Sequence, residues 1–447
     1  MTRPLLVLLM LSTAGCAVGP DYIAPQIQMT STFAEGSAGP IGEVASRRWW
    51  TGYSDPVLND LVARGLGQNL NLAASNERIA AANAALRQTG LSAAVNGSAT
   101  FSSDRSGSDI QPVTTQSGTT LNAEFVIDLF GGVRRARQAA LANLGAAEAD
   151  VGVTRLAYLT SILGAYIDAR YYQNALELTR KTIASRQRTL EITQNQRASG
   201  AATELDEVQV QALLDSAQAD LPGLEANFLS NVYAVATLLA EPAQPLVARM
   251  QRGAPQPYPR DSVGIGIPAD LVRNRPDVRQ AERQFAQAVA QVGVATAQLY
   301  PSVTLSGSVS EGGNNNWSFG PSIAQAILNQ PQLRAARQEA ASEARQSEIA
   351  WRQTVLDAVE DVQSANSTFR RDGRRVALLN RSVNSYQRAL DLSQQNFEAG
   401  ALSLLDLLDT DRSLASARLS LASALRDQAV DWATLQIALG AGAYPAP

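Results

Sequence analysis

The chain has 447 residues, a formal net charge of −4, a single cysteine and no histidine. Acidic and basic residues are nearly balanced and form no like-charged block, so nothing in the charge pattern indicates a nucleic-acid partner. Without histidine, a phosphate-binding glycine loop or a nucleophile motif, the sequence indicates no enzyme, no metal site and no cofactor. A hydrophobic fraction of 45% with only 6% aromatic residues is typical of an alanine-rich chain of packed helices.

The first 15 residues predict a secretory signal peptide. Arg3 precedes an apolar run from Leu5 to Leu11, and small residues then lead to Cys16. This pattern is typical of a lipoprotein signal, which is cut just before a cysteine that receives lipid. An ordinary signal peptide followed by an accidental cysteine is the alternative. Residues 16–50 begin with a segment rich in Gly, Pro, Ser and Thr, which predicts an extended tether between the lipid and the body of the protein.

Two stretches 200 residues apart resemble each other and indicate a duplication. The residue pairs that match at this offset are Gly200 and Gly400, Leu205 and Leu405, Asp206 and Asp406, Arg134 and Arg334, and Leu239 and Leu439. A constant offset over such a distance is the signature of a repeated structural unit. We predict a first repeat over residues 51–250, a second over residues 251–440, and a short tail over residues 441–447.

Each repeat is predicted to contain a long helical hairpin. Uninterrupted helical patterns run over about 133–197 and 332–399, and a 65-residue helix would reach roughly 95 Å, which is too long for a globular core. Gly200 and Gly400 are predicted to end these outgoing helices in left-handed caps. The hydroxyl residue three positions after each glycine is predicted to cap the return helix.

A helical wheel of the second return helix shows two apolar seams with a polar face between them. One seam contains Leu405, Leu408, Ala415, Leu419 and Ala422, and the other contains Leu407, Leu414, Ala417 and Leu421. The polar face carries Asp406, Asp409, Asp427 and Asp431 but no Lys or Arg. This arrangement predicts either a solvated outer face or the acidic lining of an aqueous tunnel.

A β-hairpin is predicted ahead of each long helix, over about 93–129 and 301–328. The expected strands are Val95 to Ser103, Thr119 to Leu129 and Val303 to Ser310, with a polar loop between the first two. Their alternation of apolar and polar residues suits a membrane barrel with lipid outside and water inside, and a soluble two-faced sheet is the alternative. Because about four strands cannot close a barrel, several chains must contribute to one.

Motifs along the chain then resemble one family, the TolC-like outer-membrane factors, in their NodT- and OprM-like lipoprotein branch. The motifs are Cys16-Ala-Val-Gly-Pro-Asp-Tyr22, Trp49-Trp50, Ile127-Asp-Leu-Phe-Gly-Gly132, Ile267-Pro-Ala-Asp-Leu271 and Arg273-Asn-Arg-Pro-Asp-Val278. The resemblance implies a homotrimer whose twelve strands form one outer-membrane barrel above a twelve-helix periplasmic tunnel. One departure is that the second repeat lacks the Asp and double Gly of the first strand-to-helix junction, so the strand expected around residues 317–331 is the least defined.

The resemblance also assigns site residues. The periplasmic gate would be formed by Asp406 and Asp409, with Asp206 as the weaker first-repeat counterpart, and the adaptor-docking tips by Gly200, Leu205, Gly400 and Leu405. Leu402 stands where other members carry a latching Arg, so the latch must differ here. The implied partners are a periplasmic adaptor, an inner-membrane pump of the RND type, and the lipid of a Gram-negative outer membrane.

The leading interpretation is a passive exit duct for drugs or other small molecules. An outer-membrane component of type I protein secretion remains an alternative, as does a lipid-anchored periplasmic scaffold, although a scaffold would not explain the alternating strands. Metal efflux is disfavoured because only Met29 and Met250 remain after signal removal. The group of charges at Asp270, Arg273, Arg275 and Asp277 is interpreted as helix-end salt bridges and not as a catalytic cluster.

Overall fold

The computed structural model describes residues 17–35, 39–260, 264–312 and 315–445. The predicted signal peptide and the predicted lipid site at Cys16 therefore lie outside the described residues. The described chain forms two compact units, which we call the sheet unit (residues 17–28, 75–151 and 276–356) and the hairpin unit (residues 29–74, 152–275 and 357–445). Each unit combines segments from both predicted repeats, and the repeat boundaries themselves stay a prediction.

The chain is mainly helical and contains one sheet. A 3-10 turn spans Trp49–Tyr53, and the helices are α1 (Pro56–Gln68), α2 (Leu70–Arg87), α3 (Leu91–Ala94), α4 (Gly132–Ala198), α5 (Glu204–Leu238), α6 (Ala243–Met250), α7 (Pro268–Asn274), α8 (Pro276–Ala297), α9 (Gln330–Glu398) and α10 (Leu404–Ala438). The strands are β1 (Val95–Ser108), β2 (Gln111–Ile127), β3 (Ser302–Glu311) and β4 (Asn316–Ala324). Of the helices in the described ranges, none combines the length and the apolar character needed to cross a membrane.

The two long helical hairpins form as predicted. Helix α4 has 67 residues and helix α9 has 69. Gly200 and Gly400 follow them with φ angles of 79° and 72°, and the next amide in each chain segment donates back to the last helical turn at 2.7 and 2.8 Å. The side chains of Thr203 and Ser403 cap α5 and α10 by accepting hydrogen bonds from the amides of Asp206 and Asp406, respectively. Glycine tolerates the left-handed conformation because it has no Cβ.

The four strands form one antiparallel sheet in the order β1-β2-β3-β4. The expectation of a polar loop between residues 103 and 118 is wrong, because β1 continues to Ser108 and β2 already begins at Gln111. Ser103 and Ser117 face each other across the two strands with their hydroxyl oxygens 2.9 Å apart. Thr and Ser can therefore continue a ladder whose backbone groups are paired, even where no apolar alternation marks the strand.

The first residues after Cys16 are held by a buried arginine. Arg135, at the start of α4, is 2% exposed and donates hydrogen bonds to the carbonyl oxygens of Ala17, Val18 and Gly19 at 3.4, 3.1 and 3.1 Å. Its guanidinium also pairs with Asp21 at 2.8 Å. A buried arginine with this many acceptors holds the backbone of the segment against the sheet unit.

An aromatic cluster explains the Trp49-Trp50 motif in the hairpin unit. The ring of Trp432, on α10, lies edge-on to both Trp49 and Tyr53 with centroids 5.4 and 4.8 Å apart. The Tyr53 hydroxyl donates to the carbonyl oxygen of Ala429 at 2.6 Å. These contacts bury a large apolar area and give the Tyr53 hydroxyl a hydrogen-bond partner, and both effects stabilise a core.

Candidate functional site

One face of the sheet is apolar and exposed. Its side chains come from the odd-numbered strand positions, and the register places Leu121, Val309 and Trp317 in one row across β2, β3 and β4. The large apolar residues exposed on this face include Phe101, Leu121, Phe125, Leu305, Val309, Trp317, Phe319 and Ile323. Trp317 and Ile323 are 75% and 72% exposed. A continuous apolar surface of this kind indicates contact with lipid or with another protein.

The opposite face of the sheet is polar. A cavity of about 400 Å³ lies against it, lined by Asn96, Ser98, Asn122, Glu124, Ser306, Ser308 and Ser318. The hydroxyl oxygens of Ser308 and Ser318 are 2.8 Å apart, and those of Thr120 and Ser310 are 3.1 Å apart. Because successive side chains of a β-strand point to opposite faces, the sheet has one polar face that can contact water and one apolar face.

The sheet has two open edges. In the described part of the chain, β1 pairs only with β2, and β4 pairs only with β3. The outer backbone groups of both edge strands therefore find no strand partner within the chain. Each such group would cost several kcal/mol in a lipid environment, so a single chain is incomplete there.

The two strand-to-helix junctions are built differently, as the sequence indicated. In the first, the Asp128 carboxylate accepts a hydrogen bond from the Arg134 amide at 2.9 Å, and the Phe130 ring stacks on Tyr300 with centroids 4.7 Å apart. In the second junction, Gln330 instead donates from its side chain to the carbonyl oxygen of Ala326 at 2.8 Å.

The residues predicted for adaptor docking lie exposed at the hairpin tips. Leu205 is 65% exposed and Leu405 is 68% exposed. A Cβ atom built on Gly200 or Gly400 would meet no atom within 4 Å. Of the seam predicted through Leu405, Leu405 itself is exposed, whereas Leu408 and Ala422 are buried. Leu404, one position before Leu405, is buried as well.

The two hairpins share a core near their tips, which we call the tip cluster. Its buried residues are Val210, Leu390, Phe397, Leu404, Leu407, Leu408 and Leu414. The cluster draws on the first return helix α5 as well as on α9 and α10. Apolar burial therefore joins the two hairpins at residues that neighbour the predicted gate carboxylates in the sequence.

A buried ion pair next to the tip cluster was not predicted from the sequence. Arg186 on α4 donates to the Asp411 carboxylate on α10 at 2.8 Å and to the Leu213 carbonyl oxygen at 2.7 Å. Both side chains are at most 10% exposed. The available signal was that Asp411 falls on the same helical stripe as Leu404 and Leu414, where a charge needs a buried partner.

The predicted gate carboxylates lie at the start of the return helices. The Ser403 hydroxyl donates to the Asp406 carboxylate at 2.6 Å. In the first tip the Thr203 amide and hydroxyl donate to Asp206 at 2.8 and 2.7 Å, and these bonds hold the pKa of Asp206 below its usual range. Asp409 is exposed one turn farther along α10. Both Asp406 and Asp409 thus reach solvent on one face.

Farther along α10 the acidic face lies next to basic side chains. Asp427 pairs with Arg375 on α9 at 3.3 Å and with its neighbour Arg426 at 3.0 Å. Burial, together with a hydrogen bond and repulsion from Asp372, raises the pKa of Asp431 to about 7. The acidic stripe therefore reaches solvent at its tip end and is embedded among other charges at its far end.

The charged group around α7 has a structural role. Asp270 is 2% exposed and accepts hydrogen bonds from the amides of Ile41 and Ile267 at 3.0 and 3.2 Å. Arg275 pairs with Asp361 at 2.9 Å. Within the residues that the structure describes, no group of three or more metal-binding side chains is found.

Together, the two-faced sheet with open edges and the paired long hairpins define a TolC-like outer-membrane channel fold. The chain belongs to the outer membrane efflux protein family, whose sequence profile matches residues 61–241 and 267–441. This is a family of efflux channels and not of enzymes. The predicted fold class and the resemblance are thereby confirmed.

Individual relatives agree with this assignment. The chain is 40% identical to nodulation protein T of Rhizobium leguminosarum bv. trifolii, over 99% of this chain and 97% of the relative. It is 30% identical to the pyoverdine export outer membrane protein OpmQ of Pseudomonas aeruginosa, over 83% and 82% of the two chains. The solved structure of the outer-membrane channel OprN matches with a TM-score of 0.87 at 28% identity, over 96% of this chain and 100% of that one.

Proposed function

We propose that three copies of this chain form the outer-membrane exit duct of a tripartite, RND-type pump in a Gram-negative bacterium. Drugs or other small molecules would pass from an inner-membrane transporter, through a periplasmic adaptor, into the duct and out of the cell. The observation that carries this proposal is the sheet, which is apolar on one exposed face, polar on the other and open at both edges.

The number of strands supports assembly from several copies. Membrane barrels have at least about eight strands, and each chain supplies four. Three chains give twelve, in which each β1 edge would pair with the β4 edge of the next copy. The alternating order of the strands makes that pairing antiparallel, as elsewhere in the sheet. Export by the relative OpmQ, which is named for pyoverdine, favours an export role for this chain as well.

The hairpin tips would carry docking and gating. Exposed Leu205 and Leu405 flank the open glycine turns and would meet the adaptor. Asp406 and Asp409 would line the periplasmic entrance, where three copies of each would repel one another unless a cation or water lies between them. Lipid on Cys16 would add a membrane anchor, which the buried Arg135 would keep next to the sheet unit by holding the residues that follow it.

The lipid-facing role of the sheet can be tested with one matched pair of substitutions. Phe319→Arg places a charge on the apolar face, where an arginine near the bilayer centre costs about 2–4 kcal/mol. Ser318→Arg places the same charge one position away on the polar face. We expect Phe319→Arg to lose assembly into proteoliposomes and Ser318→Arg to keep it. Equal assembly of both variants would contradict a membrane-embedded sheet.

The gate assignment can be tested by single-channel recording of the purified full-length protein in planar bilayers. Replacing Asp406 and Asp409 together by Asn should raise conductance and weaken block by divalent cations, because the repelling carboxylates and their bridging cations are removed. Gln209→Asn, at the first-repeat position matching Asp409, serves as a control without a charge change. Unchanged conductance and block in the Asp variant would show that these carboxylates do not face the lumen.

A further inference from the structure

The polar face of the sheet carries a charge at Glu124, three residues before the end of β2 at Ile127. Asn96 on β1 and Ser306 on β3 stand directly opposite it in the antiparallel register. Where all four strands lie side by side, the other polar described residues of this face are uncharged, namely Asn96, Ser98, Thr100, Thr120, Asn122, Thr304, Ser306, Ser308, Ser310, Asn316, Ser318 and Ser322. Glu124 is thus a single carboxylate in a wall of hydroxyl and amide groups.

This carboxylate faces open space. Glu124 is exposed and lines the cavity of about 400 Å³ on the polar face. The neighbouring polar groups largely bond to one another, since the Asn122 amide donates to the Ser98 hydroxyl at 3.4 Å and Ser308 contacts Ser318 at 2.8 Å. No Lys or Arg occupies this face in the described four-stranded region. The charge of Glu124 is therefore available to solutes in the cavity.

We propose that Glu124 is a charge filter that makes the membrane section of the duct prefer cationic solutes. This inference rests on the proposed trimeric duct, in which three symmetry-related copies of Glu124 would stand at one level around the lumen. A negative ring between walls of low dielectric constant concentrates cations and repels anions. Glu124 belongs to the sheet unit and the tip carboxylates belong to the hairpin unit, so the two sets of charges can be neutralised independently.

The filter should depend on salt in a defined way. The screening length is about 10 Å at 0.1 M ionic strength and about 30 Å at 0.01 M. A ring of carboxylates therefore acts across more of the lumen when the salt concentration is low. The cation preference should rise as the solution is diluted, and that rise should disappear when Glu124 is neutralised.

The test uses reversal potentials of the full-length trimer in planar bilayers across a KCl gradient. Asp406 and Asp409 are replaced by Asn in the background, so that the tips contribute no charge. In that background, Glu124→Gln should lower the preference for K⁺ over Cl⁻ severalfold, and Glu124→Lys should invert it. Glu311→Gln is the matched control, because Glu311 stands opposite Thr119 on the other face of the same sheet and its neutralisation should leave selectivity unchanged.

A rescue keeps the result independent of folding effects. Adding Ser306→Glu to Glu124→Gln returns a carboxylate to the same row of the same face and should restore the cation preference. The proposal is overturned if Glu124→Gln and Glu124→Lys conduct with the selectivity of the background protein, or if Glu311→Gln changes selectivity as much as they do. The absence of any conductance from the wild-type protein would instead contradict the proposed duct.

Discussion

The two hairpin tips have the same backbone geometry but opposite chemistry. In the first tip, Arg197 and Glu207 form an exposed salt bridge at 2.5 Å across the turn. The residues 200 positions later are Phe397 and Leu407, and both are buried in the tip cluster. The turn therefore has the same shape in both copies, whereas the pair that crosses it is charged in the first copy and apolar in the second.

This difference assigns unlike roles to the two hairpins. The Arg197–Glu207 pair of the first tip is exposed to solvent, whereas the matching pair of the second tip packs in the tip cluster. The second tip also carries Asp409, where the first has Gln209. Packing and proposed gate charge thus occur together on the second hairpin. The first hairpin contributes a scaffold, which it joins to the second through Val210 in the tip cluster and through Arg186 in the buried ion pair.

The largest effect is expected at the ion pair that joins the hairpins. Arg186→Met leaves the Asp411 carboxylate buried without its guanidinium partner, which costs about 3–5 kcal/mol. The thermal unfolding midpoint of the full-length protein, followed by helical circular dichroism, should fall sharply. Combining Arg186→Met with Asp411→Leu removes the unpaired charge and should recover most of the loss. A double variant as unstable as the single one would contradict this account.

The comparison of the tips predicts a second, smaller effect. Phe397→Ala removes an aromatic ring from the tip cluster and should cost about 3 kcal/mol through lost burial and the cavity left behind. Arg197→Ala, at the matching position of the first tip, should change the unfolding midpoint little, because exposed ion pairs contribute little to stability. If both variants unfold at the same temperature, the two tips do not differ in the way described.

Local features of these tips could be predicted from the sequence because they depend on few residues. Gly200 and Gly400 each fix a left-handed cap, and Thr203 and Ser403 each fix a helix start, without help from distant parts of the chain. Because the two tips are related by the 200-residue offset, the prediction of each tip supported the prediction of the other. For the same reason the helix lengths were predicted nearly to the residue.

The features that the sequence did not predict depend on long-range contacts. Arg186 and Asp411 are 225 positions apart, and Arg135 binds a backbone segment more than a hundred positions earlier. The sequence around Arg186 or Arg135 contains no local motif that identifies the distant group each of them binds. The polar strands between residues 103 and 118 were missed because their pairing comes from backbone ladders, whereas side-chain alternation is the signal that a sequence offers.

The far end of the return helices repeats the contrast between the copies. Asp427 and Asp431 of α10 correspond, 200 positions earlier, to Asn227 and Asn231 of α5. The Asn231 side chain donates to the Asn227 carbonyl oxygen at 2.9 Å, so the first copy has a neutral pair here. In the second copy, burial and then Asp372 raise the pKa of Asp431 to about 7, with Asp427 adding further repulsion.

The smallest predicted effect follows from that raised pKa. A carboxyl that titrates near 7 when folded and near its ordinary value of 3.8 when unfolded holds its proton longer in the folded protein. Its contribution to stability is therefore present at low pH and is lost as the pH rises from about 4 through 7. Asp431→Asn cannot ionise, so it should be more stable than the wild type at pH 8, by about 1 kcal/mol after allowance for solvent screening.

The measurement is the shift of the unfolding midpoint between pH 5 and pH 8 in the full-length protein. The wild type should lose more stability over this interval than Asp431→Asn does. The difference should persist in an Arg375→Gln background, because that substitution removes the cation that pairs with Asp427 and leaves the Asp372 contact in place.

Asn231→Asp is the reciprocal variant, because it places a carboxyl at the matching position of the first copy. The residue four positions before it is Asn227, whereas the second copy has Asp427 there. It should acquire little pH dependence, since Tyr172 stands where the second copy has Asp372. A pH response in Asn231→Asp equal to that of the wild-type Asp431 would mean that burial on a return helix, and not the carboxyl pair of the second copy, sets the titration.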